Sequence, residues 1–114
     1  MPKFQINSET VGDGMVCVRV EGFLDAHTFE QMESTINRLF TDGVYRVMVE
    51  LSKVDYISSA GAGVFIGAIG TAQENGGNIV LMNPTANVKE VFDLLGLSQL
   101  FQFAETTDAA KKMF

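Results

Sequence analysis

The order of the apolar segments along the chain constrains the possible fold most strongly. Two strand-type segments, at residues 4–8 and 15–20, come first, and strand and helix patterns then alternate to the end of the chain. Later strands are predicted at residues 45–51, 78–82 and 100–103. Because parallel strands need a long crossover connection, usually a helix, this alternation favours a mainly parallel sheet. The sequence therefore predicts an α/β domain with a mostly parallel sheet of four to five strands and about four helices.

The first helix is predicted to begin at Thr28 and to end before Gly43. Thr28 and Gln31 have the spacing of a capping box, and Asp25 is the alternative cap. The other helices are predicted near residues 59–75, 85–95 and 108–113, the last of them capped by Thr107.

Glycines and polar residues are expected to end the strands. Gly22 is predicted to end the second strand, and residues 52–56 are predicted to connect the third strand to the second helix. The sequence contains no repeat, low-complexity segment or linker. Residues 1–114 are therefore expected to form one domain.

The charge pattern excludes several classes of partner. The net charge is −6, and no cluster of Lys and Arg is present, so binding to nucleic acid or to an acidic membrane surface is not expected. The longest central stretch without charge, residues 56–73, contains Ser, Gly and Thr, which argues against membrane insertion. Residues 1–7 lack the apolar run of a signal peptide, so a cytoplasmic location is expected. Cys17, the only cysteine, is interpreted as a core residue.

The segment Ser-Ser-Ala-Gly-Ala-Gly, residues 58–63, allows several kinds of chemistry. A dinucleotide-binding loop has the spacing G-x-G-x-x-G, whereas Gly61, Gly63 and Gly67 are spaced G-x-G-x-x-x-G. The chain also lacks the Gly-Lys-Ser/Thr of a P-loop. No nucleotide or other cofactor is therefore expected.

Catalysis is not expected either. A serine hydrolase would have to combine Ser59 with His27, the only histidine, and no G-x-S-x-G motif is present. A hydrolase that uses these two residues is the alternative from another functional class. The acidic residues show no metal-ligand spacing, so no metal site is predicted.

The glycines of the second helix favour a structural interpretation. Gly63, Gly67 and Gly70 lie on one helical face and form a groove, although each weakens the helix by about 1 kcal/mol relative to alanine. The groove is expected to let another element, either the sheet or a partner protein, approach closely.

The two serines lie where this helix is predicted to begin. Either Ser58 or Ser59 is suited to cap it by accepting a hydrogen bond from an N–H one turn later. A phosphate is also favourable at a helix N-terminus, because the free N–H groups and the macrodipole accommodate its charge. A serine here is therefore a candidate modification site.

Several segments together resemble the STAS-domain family, and within it the bacterial anti-sigma factor antagonists. The similar segments, in chain order, are Gly-Phe-Leu-Asp at residues 22–25, the strand at 47–54, Ser-Ala-Gly-Ala-Gly at 59–63, the glycine pair at 76–77, and residues 88–97. The resemblance covers nearly the whole chain. Two positions differ from the family pattern, since Ser58 replaces the usual Asp and Ala62 the usual Leu.

This resemblance implies a non-enzymatic regulator controlled by phosphorylation. By analogy, Ser59 is the residue phosphorylated by an anti-sigma factor that is itself a serine kinase, and Ser58 is the second choice. The unphosphorylated protein would bind that kinase, and a PP2C-type phosphatase would reset the switch. The implied partner-binding residues are Asp25, Ser58, Ser59, Gly61 and Gly63. The alternative is a STAS module that binds a partner constitutively, in a lipid-transport or signalling complex.

Overall fold

A computed structural model describes residues 3–114; the first residues of the segment considered above for a signal peptide lie outside this range. The strands are β1 (Gln5–Gly12), β2 (Met15–Leu24), β3 (Arg46–Ile57), β4 (Asn78–Met82) and β5 (Gln102–Ala104). The helices are α1 (Phe29–Thr41), α2 (Ser59–Glu74), α3 (Ala86–Leu94) and α4 (Thr107–Lys111).

The strands form one sheet in the order β1-β2-β3-β4-β5. β1 and β2 form an antiparallel hairpin, whereas β2, β3, β4 and β5 are parallel to one another. Helices connect the parallel strands, as the alternation along the sequence predicted. The predicted fold class, a mostly parallel sheet with four helices, is confirmed.

Two apolar clusters lie on opposite faces of the sheet. The side chains of Val47 and Val49 join a large cluster with residues of α1, α2 and α3, including Phe65 and Phe92, whose ring centroids lie 6.3 Å apart. Met48 points to the other face because side chains alternate along a strand, and there it packs in a smaller cluster that includes Ala110 of α4. The three crossover helices therefore cover one face, and α4 covers part of the other.

The predicted ends of β2 and β3 were wrong. β2 continues through Gly22 to Leu24, and β3 continues through the predicted connection to Ile57. Gly22 has a φ of +104°, and the register between the two strands shifts on either side of its pairing with Val54. These irregularities interrupt the alternation of apolar and polar residues, so the sequence pattern ends before the strands do.

The predicted capping box of α1 was also wrong. Thr28 precedes the helix, but its hydroxyl donates to the Phe23 carbonyl at 2.7 Å and accepts from the Asp25 N–H at 2.9 Å. The Thr28 side chain therefore bonds the turn to β2 and does not cap α1, and only the Thr28 carbonyl accepts from the first turn, from the Gln31 N–H at 3.0 Å. At α4, the cap is Thr106 and not Thr107, because the Thr106 hydroxyl accepts from the Ala109 N–H at 3.1 Å.

The expectation for Cys17 is confirmed. Its side chain is almost fully buried in the smaller apolar cluster, and burial raises the pKa of the thiol. Within residues 3–114, none of the helices is long and apolar enough to cross a membrane.

Candidate functional site

The candidate site lies where β3 ends and α2 begins. Ser58 has an extended backbone, with a φ of −98°, and its side chain caps α2. The Ser58 hydroxyl accepts a hydrogen bond from the Gly61 N–H at 3.3 Å, and the Ser58 carbonyl accepts one from the Ala62 N–H at 2.9 Å. Of the two serines that were candidates for the cap, Ser58 is the one that caps the helix.

The start of α2 packs closely on the end of β2. The Ser58 N–H donates to the Leu24 carbonyl at 3.0 Å. A β-carbon added to Gly61 would lie only 2.4 Å from the same carbonyl oxygen, so a side chain at this position would collide with the backbone. This approach brings Asp25, which follows Leu24, to the same edge of the sheet as Ser58 and Gly61.

The carboxylate of Asp25 organises the turn that leads into α1. Its Oδ1 atom accepts from the His27 N–H at 2.9 Å and lies 3.3 Å from the Thr28 hydroxyl. This is an Asx-type turn, in which the side chain bonds to the backbone two residues later. Asp25 is half-buried, and its position is therefore set by the fold.

Ser59 is the first residue of α2 and is exposed to solvent. Within residues 3–114, its hydroxyl has no hydrogen-bond partner, and the N–H groups of Ser59 and Ala60 have no acceptor. These free N–H groups lie at the positive end of the helix macrodipole. A group attached to the Ser59 hydroxyl would therefore extend into solvent from an electropositive helix end.

The groups needed by a hydrolase are not assembled among the described residues. The His27 side chain is exposed, and no hydrogen bond joins it to Ser58 or Ser59 within residues 3–114. In that same range, no group of three or more His, Cys, Asp or Glu side chains is placed to hold a metal ion.

The prediction that the sheet approaches the glycine groove of α2 was wrong, whereas approach by a partner protein stays a prediction. A β-carbon added to Gly63, Gly67 or Gly70 would meet no atom within 4 Å among the described residues. Gly67 instead lines a shallow cavity of about 170 Å³ between α1 and α2, opposite Glu33. The sheet instead approaches Gly61 of this helix. Gly63, which was predicted to bind the partner, lies half a turn further along α2 and is half-buried.

Sequence reasoning missed an aromatic pair beside the site. Phe23 and Tyr56 lie opposite each other in the register of β2 and β3, and their rings meet edge to face with centroids 5.9 Å apart. Tyr56 remains 48% exposed. Both residues were missed because Gly22 was predicted to end β2 and residues 52–56 to form a loop. The apolar side chains that follow Gly22 were the one sequence signal that β2 continues.

The cap can be tested by replacing Ser58. Ser58→Ala is expected to lower the free energy of unfolding by about 1 kcal/mol because the Gly61 N–H loses its partner. Ser58→Asp is expected to stabilise the fold by up to about 1 kcal/mol because a negative charge is favourable at this end of α2. Urea denaturation measures both changes. Ser52→Ala is the control, and a loss as large as that of Ser58→Ala would contradict the capping role.

Comparisons with known proteins identify the family. Residues 6–110 match the STAS domain. The chain is 30% identical to an anti-sigma-B factor antagonist of Staphylococcus epidermidis over 104 residues, which is 90% of this chain and 96% of that protein. The structure of the anti-sigma factor antagonist SpoIIAA in its unphosphorylated form superposes with a TM-score of 0.81 and 26% identity, covering 97% of this chain and 96% of that one.

A further solved structure has the same fold at lower sequence identity. An anti-sigma factor antagonist from Mycobacterium paratuberculosis superposes with a TM-score of 0.85 and 22% identity, covering 97% of this chain and 93% of that chain. The protein belongs to the STAS domain family, and its relatives include anti-sigma factor antagonists, as the resemblance of its sequence segments indicated.

Proposed function

We propose that this protein is an anti-sigma factor antagonist that binds an anti-sigma factor through the start of α2, and that phosphorylation of Ser59 weakens this binding. The observation that carries the proposal is the hydroxyl of Ser59, which is exposed, has no hydrogen-bond partner in the described part of the chain, and directly follows the capping residue Ser58. The relatives named as anti-sigma factor antagonists support the kind of partner, and the name of the unphosphorylated SpoIIAA structure supports the kind of control.

The geometry around Ser59 suits a modification that leaves the fold intact. The capping bond uses the Ser58 hydroxyl, so a phosphate on Ser59 would not break it. The free N–H groups of the first turn and the helix macrodipole would accommodate the added charge of about −2. The phosphate would thus change the surface that a partner meets and leave the packing beneath it unchanged.

The partner-binding surface in this proposal comprises the start of α2 and the adjoining end of β2. It includes the exposed Ser59 and the partly buried Asp25, Ser58 and Gly63, with the buried Gly61 beneath them. Tyr56 extends the same edge with a half-exposed aromatic ring, and aromatic side chains are enriched among residues that dominate binding energy. The kinase is the anti-sigma factor itself, and a PP2C-type phosphatase restores the binding form in the cytoplasm. The protein itself is a substrate of these enzymes and has no catalytic role.

Phosphate mapping tests the position of the switch. Wild-type protein, Ser58→Ala and Ser59→Ala are incubated with ATP and the serine-kinase anti-sigma factor encoded in the same organism, and the products are mapped by mass spectrometry. We expect one phosphate on wild type and on Ser58→Ala, and none on Ser59→Ala. Phosphate confined to Ser58 would contradict the assignment to Ser59.

Absence of phosphate from both serines would favour the constitutive STAS module, provided that the partner still binds. By the resemblance to the family, Ser58 occupies the position of an Asp, so the side chain before the proposed acceptor lacks a negative charge. The variant Ser58→Asp decides whether this difference matters. A large gain in phosphorylation rate with Ser58→Asp would show that the kinase recognises the charge.

A further inference from the structure

The β1 strand leaves one edge of the sheet unpaired among residues 3–114. In that range β1, which has eight residues, pairs only with β2, whereas β5 at the other edge has three residues. The register of β1 with β2 is regular from Gln5 to Thr10, and it shifts only between Thr10 and Gly12. An edge strand presents a row of unpaired N–H and C=O groups, which another strand can bind.

The features that usually block such an edge are missing from most of β1. Natural edge strands often carry lysine, proline or a bulge that twists the edge away. β1 contains neither lysine nor proline, and its only charged residue, Glu9, pairs with Arg19 of β2. The irregular step lies at the hairpin end and leaves residues 5–10 in regular register. The edge is therefore open to strand addition.

We propose that β1 pairs antiparallel with β1 of a second copy of this chain, so that the two sheets form one continuous sheet in a twofold-symmetric dimer. A strand that pairs antiparallel with itself forms an isologous contact, which closes after two subunits. This inference does not depend on the proposed function, because β1 lies at the side of the sheet and Ser59 lies beyond the end of β3.

The charges on α1 favour a second copy over an unrelated strand. A groove between β1 and α1 is lined by Ile6, with Glu30 near one end and Arg38 near the other. Eight residues of helix separate the two charges by about 12 Å. Neither charge takes part in an ion pair within the described part of the chain.

The symmetry of the dimer pairs these charges. Antiparallel strands in one sheet are related by a twofold axis perpendicular to the sheet, so the two α1 helices lie on the same face and run in opposite directions. With the axis level with Ile6 in this groove, Glu30 of one subunit faces Arg38 of the partner subunit, and the reverse contact forms on the other side of the axis.

The charges on α1 require a register centred near Ile6, the β1 residue that lines the groove. A register centred two residues away, on Ser8, would shift the partner helix by about 13 Å and place the two Arg38 side chains opposite each other, which is unfavourable.

Sedimentation equilibrium of the purified chain tests the dimer. We expect a concentration-dependent mass that approaches twice the 12.4 kDa of one chain. Ser8→Lys introduces a lysine, which blocks the pairing of natural edge strands, and is expected to raise the dissociation constant at least about ten-fold. A monomer at all concentrations up to about 1 mM would overturn the proposal. The same result is expected if β1 pairs only with a strand of another protein.

A charge exchange on α1 tests the symmetric arrangement. Glu30→Lys is expected to raise the dissociation constant about ten-fold, because two equivalent contacts become repulsive. Glu30→Lys combined with Arg38→Glu is expected to restore wild-type association. Glu33→Lys, which changes the charge of the same helix equally, is the control.

The charge variants also keep the test decisive if Ser8→Lys disrupts the hairpin, which circular dichroism would show. Equal effects of Glu30→Lys and Glu33→Lys, or no restoration in the double variant, would overturn the arrangement. An unchanged dissociation constant in a folded Ser8→Lys variant would overturn pairing through β1.

Discussion

Gly61→Ala is expected to lower the free energy of unfolding by about 2 kcal/mol, although alanine is the better helix former. The added β-carbon would lie 2.4 Å from the Leu24 carbonyl oxygen and 2.9 Å from the Leu24 Cγ atom. A backbone atom cannot move aside cheaply, so the overpacking cost lies near the upper end of its usual range, about 3 kcal/mol. The gain in helix propensity, about 1 kcal/mol, offsets part of that cost.

Gly67→Ala in the same helix provides the matched control. A β-carbon there meets no atom within 4 Å among the described residues, so only the propensity gain of about 1 kcal/mol remains. Gly61→Ala is therefore expected to be less stable than wild type and Gly67→Ala more stable. Their free energies of unfolding are expected to differ by about 3 kcal/mol. Urea denaturation measures both, and equal stabilities would contradict the close contact between α2 and the end of β2.

The same pair of glycines shows what the sequence could and could not predict. The spacing of Gly63, Gly67 and Gly70 correctly placed them on one helical face, but the spacing does not say what that face contacts. The close approach occurs at Gly61 because the end of β2 crosses the first turn of α2. That crossing is a long-range contact, and local periodicity carries no information about it.

The strand ends were missed for a related reason. Alternation of apolar and polar residues predicts a strand only while the register is regular, and the register of β2 with β3 shifts around Gly22. Phe23 and Tyr56 were therefore assigned to loops, although they pair across the two strands beside the candidate site. The order of strands and helices along the chain, the mostly parallel pairing and the start of α2 were predictable because each depends on long segments or on capping chemistry.

The candidate site was predictable in part. Ser58 as a cap follows from local chemistry, and the structure confirms it. The role of Asp25 in a turn that approaches the start of α2 required the tertiary structure. The role of Ser59 rests on the resemblance to the family and stays a prediction, since exposure at a helix start permits modification without requiring it.

The largest functional effect is expected from charge at Ser59. Phosphorylation would add about two negative charges to a chain whose net charge is already −6, at a residue that the proposed partner must cover. Burying or repelling that charge is expected to weaken binding about a hundredfold, equivalent to about 3 kcal/mol. Calorimetric titration of the anti-sigma factor with phosphorylated and unphosphorylated protein measures the difference directly.

Substitutions separate the effect of charge from an effect on folding. Ser59→Asp is expected to weaken binding about tenfold and not a hundredfold, because it adds one charge instead of about two. Ser59→Ala is expected to bind the partner with wild-type affinity and to accept no phosphate. Ser59→Ala is expected to leave the stability unchanged, because Ser59 is exposed and its hydroxyl has no hydrogen-bond partner within residues 3–114. Ser59→Asp is expected to raise the stability by at most about 1 kcal/mol, because a negative charge is favourable at this end of α2. Thr71→Asp, at an exposed position three turns along the same helix, is the control for added charge. Equal affinities of Ser59→Asp, Thr71→Asp and wild type would show that the partner does not contact the start of α2. A charge added at the centre of an interface that excludes water must change the affinity.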